Sequence, residues 1–197
     1  MIVVPATKND VDEVVRNLGR TFAADPSLGW VLRKASDPVG IFTAYYDIIV
    51  REALEIGNVD VAKEGDDFLG TAVWLPPGVH FSTRSSLKAL PLLRHTGTAA
   101  PTLLRYLRAT TTVKLPFPAW YLAVISVDEK ARGKGVGSAL LDAGVERFGD
   151  DAAMLEATSA RAAELYESRG FFPLGELKTP APTPEIIMWR PARSTAS

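Results

Sequence analysis

The chain has 197 residues, 47% of them hydrophobic, which suffices for one sizeable core and is short for two. Lys and Arg number 22 against 23 Asp and Glu, a net charge of −1, so no global field recruits nucleic acid or an anionic membrane. With no cysteine, disulfides, thiolate metal sites and a cysteine nucleophile are excluded, and His80 and His95 are too far from any acidic cluster to suggest a metal centre.

The opening MIVVPATKNDVDEVV brings acidic residues early, with no basic segment before an apolar core, so no signal peptide is expected. The longest apolar run, near Ala119 to Val127, falls well short of the roughly 20 residues a membrane helix needs. A soluble, cytoplasmic protein is the expectation. Ile2 to Ala6 predicts a short strand. After the capping oxygens of Thr7 to Asp10, Val11, Val14, Val15, Leu18 and Phe22 fall on one helical face, which Pro26 ends. Asp37-Pro38 starts a second helix, expected to run to Glu55 with Gly57 closing it. Asn58 to Ala62 and Phe68 to Leu75 predict a hairpin.

Pro76-Pro77-Gly78 breaks the pattern. A helical insert is expected over about 79–115, in two pieces separated near Gly97 and Pro101, with basic residues on solvated faces. Ala119 to Val127 predicts a strand, Gly135 to Phe148 a helix, and Ala152 to Glu156 a strand. Ser159 to Arg169, closed by Gly170, predicts a helix; Phe171 to Leu177 and Ile186 to Arg190 predict strands, and residues 193–197 a flexible tail. One mixed α/β domain around a single sheet accounts for this order.

Arg132-Gly133-Lys134-Gly135-Val136-Gly137-Ser138 stands at a strand-to-helix junction. A Walker loop fails, because Asp128 and Gly135 occupy two of its required positions. A dinucleotide fingerprint lacks its third glycine, where Ser138 stands, although Glu156 lies at a suitable distance for a ribose partner. The third pattern, [QR]-x-x-G-x-[GA], fits. Its glycines remove side chains where backbone nears a ligand and permit a tight turn, and the first N–H groups of the helix then face a pyrophosphate. An ordinary glycine-rich turn is the alternative.

With Leu165-Tyr166-Glu167-Ser168-Arg169-Gly170-Phe171 as second landmark, a Y-x-x-x-G-F ending, the sequence resembles the GCN5-related N-acetyltransferase (GNAT) superfamily. Within it, "PAWYLAVISV", "GKGVGSALL" and "LEATSARAAELYESRGF" are most similar to the puromycin N-acetyltransferases, with the likeness weakest between Val79 and Lys114. The resemblance implies a largely antiparallel sheet of about seven strands, splayed between the fourth and fifth, flanked by helices. It implies acetyl transfer from acetyl-CoA to a primary amine of a small molecule, an antibiotic or other xenobiotic among the options. A homodimer is a family-level expectation.

The same resemblance places the cofactor on Ile125, Ser126 and Val127 through the pantetheine arm, and on Arg132, Gly133, Lys134, Gly135, Val136, Gly137 and Ser138 through the pyrophosphate. Tyr166 matches the superfamily's general acid; a phenol of pKa about 10 protonates a leaving thiolate without ionising at neutral pH. Glu156 is the leading base for the amine, or else a partner of Arg161, and His80 is a further base candidate. Asp25 is an acceptor anchor or a helix stop, and Phe22, Trp30, Tyr45, Trp74 and Trp120 line an apolar acceptor pocket or belong to the core. Where many members carry asparagine this chain has Ser159, and where the puromycin-type sequence has one it has Ala162; Ser159 can cap a helix or bond the pantetheine. These departures motivate a catalytically silent CoA-binding module as one alternative, and the glycines with Glu156 a dinucleotide-dependent oxidoreductase as another.

Overall fold

The periodicities of the chain resolve into strands and helices in a computed structural model, which describes residues 1–56, 58–110 and 117–193, though not the side chain of Arg84. The expected helix-closing Gly57, the end of the insert at 111–115 and tail residues 194–197 lie outside the described residues. Thr7 and Asp10 form a reciprocal capping box, and the helix α1 (Val11–Ala23) follows. Strand β1 (Ile2–Pro5) precedes it. Asp25-Pro26 ends α1 as expected, but a short helix α2 (Leu28–Leu32) follows at once. Five residues are too few to show a helical period in sequence. Asp25 Oδ1 starts the turn by accepting the N–H groups of Ser27 (2.8 Å) and Leu28 (2.9 Å). Asp37 Oδ1 in turn accepts the Gly40 N–H, opening α3 (Pro38–Ile56).

Strands β2 (Val59–Glu64) and β3 (Asp67–Leu75) form the hairpin, with Gly65 at φ +60° in its turn. Between β3 and β4 (Trp120–Val127) come α4 (Thr83–Ala89), two 3-10 turns and α5 (Ala100–Thr110). Pro101 is no break between helices: it lies in the first turn of α5, where a missing N–H costs nothing. After β4 follow α6 (Val136–Phe148), β5 (Ala153–Ala157), α7 (Ala160–Glu167), β6 (Phe172–Leu177) and β7 (Glu185–Arg190). Among the described residues no helix is long and apolar enough to cross a membrane.

One seven-stranded sheet runs β1-β2-β3-β4-β5-β7-β6. Its neighbours are antiparallel except β4 and β5, which are parallel and pair only at Trp120↔Ala153 and Tyr121↔Met154. Beyond those rungs the two strands diverge, so the sheet splays between its fourth and fifth strands. Alternating side chains supply a core on each face. Val59, Val61 and Val73 pack with Val14, Leu18 and Val50 of α1 and α3, and Ala62, Ala72 and Trp74 pack with Leu140, Leu141 and Phe148 of α6.

A bulge re-aims β4 just where the gap opens. Val73 pairs with Val124 and Trp74 with Leu122, so Ala123 has no opposite number. Trp120 and Leu122 pack into the α6-side core, and past the bulge it is Ile125 and Val127 that do so. Odd and even positions have exchanged faces.

Candidate active site

The free edge of β4 is the first component. Asp128 N–H donates to the Leu69 carbonyl at 2.8 Å, and backbone groups alternate sides along a strand. Ser126 therefore faces β3, paired with Thr71, while the N–H and C=O groups of Ile125 and Val127 face the gap that β5 has left. An extended amide-bearing arm can add there as a further strand. Ser126 is turned away in both respects, since its hydroxyl donates to Asn17 Oδ1 at 2.5 Å in the core. Asn17 Nδ2 also reaches Asp128 Oδ2 (3.4 Å), which ties α1 to the head of the glycine loop.

That loop leaves donors open. The Arg132 and Lys134 N–H groups close turns onto Glu129 and Ala131, and the first helical bond of α6 runs from Ala139 to Gly135. The N–H groups of Gly133, Gly135, Val136, Gly137 and Ser138 have no acceptor among the described residues. Gly133 and Gly135 have φ of +80° and +79°, and a Cβ on either would meet nothing within 4 Å, so backbone sign rather than crowding demands glycine. Gly137 differs. It is helical, and a Cβ would only touch Leu165 and Val127 at 3.5 Å. Gly70 on β3 has the opposite constraint, because a Cβ there would lie 2.6 Å from the Ser126 carbonyl and crowd Val136 and Leu140. Its bareness lets the start of α6 pack flush on the sheet. Unpaired donors at the N-terminus of a 13-residue helix, rimmed by exposed Arg132 and Lys134, fit a pyrophosphate.

Tyr166 approaches the gap from α7. Ser159 Oγ caps that helix by accepting the Ala162 N–H (3.2 Å), so this oxygen has a structural partner already. The Tyr166 ring packs near Phe171, with centroids 6.2 Å apart, and only 5% of the residue is exposed. Its hydroxyl has no hydrogen-bond partner among the described residues. Tyr166 lines a cavity of ≈ 120 Å³ between β4 and β5, together with Ile125, Glu156 and Phe22. Burial, and then the nearby Asp25 and Glu156 carboxylates, push its phenol well above the ordinary value.

Glu156 on β5 faces Tyr166 across this cavity and also borders two adjoining ones, of ≈ 290 and ≈ 400 Å³. Its Oε2 accepts the Tyr121 hydroxyl at 2.8 Å; Arg161 is exposed and forms no ion pair with it. Burial raises the Glu156 pKa to about 7, Glu185 adds to the rise, and the Tyr121 hydrogen bond partly offsets both. His80 borders the ≈ 400 Å³ cavity with Glu156.

The other expected site residues divide. Phe22 and Tyr45 line the cavities and pack on Tyr46, at 5.0 and 5.3 Å between ring centroids. Trp74 does not: it is 0% exposed and lies against Phe148 and the bare backbone of Gly144. Trp120 also packs toward Phe148, its indole N–H reaching Asp151. Strand alternation sends both toward α6, whereas the ≈ 290 Å³ chamber opens on the α3 side. Trp30 stacks under the Arg33 guanidinium and borders none of these cavities. Asp25 has both oxygens engaged, Oδ1 on α2 and Oδ2 accepting the Thr158 hydroxyl (2.7 Å).

Four site residues escaped the sequence reading: Tyr46, Tyr106, Tyr121 and Glu185. Glu185 is 2% exposed, and its Oε1 accepts the Ser27 (2.6 Å) and Tyr106 (2.8 Å) hydroxyls. Nothing in the run Pro184-Glu185-Ile186 marks it in sequence, whereas Tyr121 was findable. Two adjacent aromatics on one strand must point to opposite faces.

A family model described as acetyltransferase (GNAT) domain matches residues 102–173. A solved protein from Corynebacterium glutamicum, described as histone acetyltransferase HPA2 and related acetyltransferase, is 35% identical, with 99% of this chain and 98% of that one covered and a TM-score of 0.76. Arylalkylamine N-acetyltransferase 2 from Aedes aegypti shares the fold at 18% identity, with a TM-score of 0.67 over 98% of this chain and 99% of that one.

Proposed function

Since the chain belongs to the GNAT acetyltransferases, and is thus an N-acetyltransferase drawing on acetyl-CoA, we propose that it acetylates a primary amine of a small molecule by direct attack in a ternary complex. One observation carries this reading: a free phenol, Tyr166, and a carboxylate held near neutrality, Glu156, border the same cavity beside the unpaired edge of β4.

Acetyl-CoA supplies a thioester whose carbonyl carbon accepts the amine and whose sulfur leaves. The Ile125 and Val127 backbone holds the pantetheine arm, and the amides of Gly133 and Gly135 to Ser138 hold the pyrophosphate. Glu156 removes one proton from the ammonium, freeing a lone pair to form the C–N bond. As the C–S bond breaks, Tyr166 gives its proton to the sulfur, and the second amine proton restores the phenol. The third remains on the amide nitrogen. The single proton held by Glu156 passes to solvent, so atoms and charge balance. A phenol kept neutral by burial is a proton donor at every physiological pH, and a carboxyl near pH 7 suits a base. With no cysteine in the chain, no thiol is available to carry the acetyl group.

Antibiotic and other xenobiotic amines are the proposed acceptors, and puromycin is a first compound to assay, given the likeness of the β4, loop and α7 segments to its acetyltransferases. Pairing into a homodimer belongs to the same proposal and is read by sedimentation. An amine panel followed by thiol release tests the activity. Normal CoA binding with no thiol release from any amine would leave only a cofactor-binding module.

A further inference from the structure

Two carboxyl groups meet at the floor of the ≈ 290 Å³ chamber, and no cation stands with them among the described lining residues. Glu156 and Glu185 both line this chamber, no Lys, Arg or His does, and neither carboxylate belongs to an ion pair among the described residues. Glu185 receives both of its hydroxyl donors, Ser27 and Tyr106, on Oε1, and its Oε2 has no partner among the described residues. Glu185 Oε2 is unpaired yet not sealed from the cavity, so it is open to a donor brought by a ligand, and a cationic donor would supply the counter-charge that the described lining lacks. Above this floor the walls are apolar, formed by Leu32, Ile41, Phe42, Leu93, Leu103 and Leu107. They come from α2, α3 and the segment between β3 and β4.

We propose that Glu185 anchors the ammonium group of the acceptor, and that the acceptor is a primary amine on a compact apolar body, aromatic or branched aliphatic, enclosed by these walls. The inference rests on the acetyl-transfer reading and deepens it. The chamber, ≈ 290 Å³, falls just below the roughly 300–1,000 Å³ of small-molecule sites, which matches a compact amine. A polyamine would press its further charges against walls mostly of leucine and phenylalanine, where the Tyr45, Tyr46, Thr96 and Thr110 hydroxyls are present but no further carboxylate stands among the described lining residues. The two carboxylates divide the work. Glu185, on two hydroxyl donors, fixes the nitrogen, and Glu156, beside Tyr166, takes the proton. Glu185 also contributes to the raised Glu156 pKa, so removing its charge should move the base downward.

Titration calorimetry without acetyl-CoA reads the anchor apart from turnover, using 2-phenylethylamine, uncharged 2-phenylethanol and spermidine as probes. Wild type should bind the amine about tenfold or more tightly than the alcohol, as charge-assisted bonds do, and Glu185→Gln should abolish that preference. In turnover, Glu185→Gln should raise KM for the amine about tenfold, lower kcat far less, and shift the acidic limb of the pH profile to lower pH. If that variant does not fold, Ala89→Phe, which narrows the chamber wall, should weaken phenylethylamine binding. A preserved amine preference in Glu185→Gln, or tighter binding of spermidine than of phenylethylamine, would overturn the proposal. Glu185-dependent amine binding with no CoA release from any amine would instead sink the acetyl-transfer reading and leave the anchor standing.

Discussion

In the proposed reaction Tyr166 and Glu156 hold their protons at opposite stages, and their surroundings set them apart. Burial raises both, but a phenol so raised only becomes more firmly neutral, whereas the carboxyl is brought to about 7. Tyr166→Phe should lower kcat by roughly 10²-fold, a common size for a lost general acid, with CoA affinity unchanged by calorimetry. Equal turnover would remove the hydroxyl from the reaction. For Glu156 the base is the ionised form, so kcat/KM should climb as pH rises through about 7 and level off above it. Glu156→Gln should erase this limb along with most of the activity. A profile flat between about pH 5 and pH 8 would remove Glu156 from the role of base.

Two elements would aim the cofactor at those residues in the proposed complex, and each depends on a local departure from regular geometry. The bulge at Ala123 exchanges the faces of β4, and loss of the β5 partner leaves the Ile125 and Val127 backbone groups open. At the start of α6, positive φ at Gly133 and Gly135 turns the chain so that successive amides stay unpaired. Gly135→Ala would force a side chain into the left-handed region, at a cost of about 1–2 kcal/mol, and the loop relieves it by leaving the amide-presenting geometry. CoA affinity should fall about tenfold while kcat at saturating CoA changes little. Gly137→Ala is the internal contrast: its site is helical with room for a methyl, so affinity should stay close to wild type. Indistinguishable CoA affinities for the two variants would undo the account of the loop.

Across the whole molecule, the candidate site occupies the seam where two cores meet, and the burial of Glu156 there has a stability consequence. The folded-state pKa of Glu156 lies above its unfolded value of 4.5, so the folded chain binds that proton more tightly. The resulting stabilisation is full below the unfolded value and is lost as pH rises through about 7. Wild type should therefore lose melting temperature relative to Glu156→Gln between about pH 5 and about pH 8. Parallel melting curves across that window would show that the carboxyl is not held up by burial.

Local signals, which need only neighbours in the chain, were legible in the amino-acid order. The capped apolar face from Val11 to Leu18, the Asp37-Pro38 start, the hairpin and the Gly133-to-Ser138 turn all follow from residues a few positions apart. So did the placing of Tyr166 and Glu156 on consecutive elements at one edge of the cleft. Partners distant in sequence were decided only by folding. Glu185 meets Ser27 across 158 positions and Tyr106 across 79, and Asp25 meets Thr158 across 133. Alternation alone says that Trp120 and Tyr121 face opposite ways, but only the packed sheet decides that Tyr121 takes the chamber side while Trp74 and Trp120 point into the opposite core. Periodicity records what a residue does relative to its chain neighbours, and a cleft is made by residues that become neighbours only when the sheet closes.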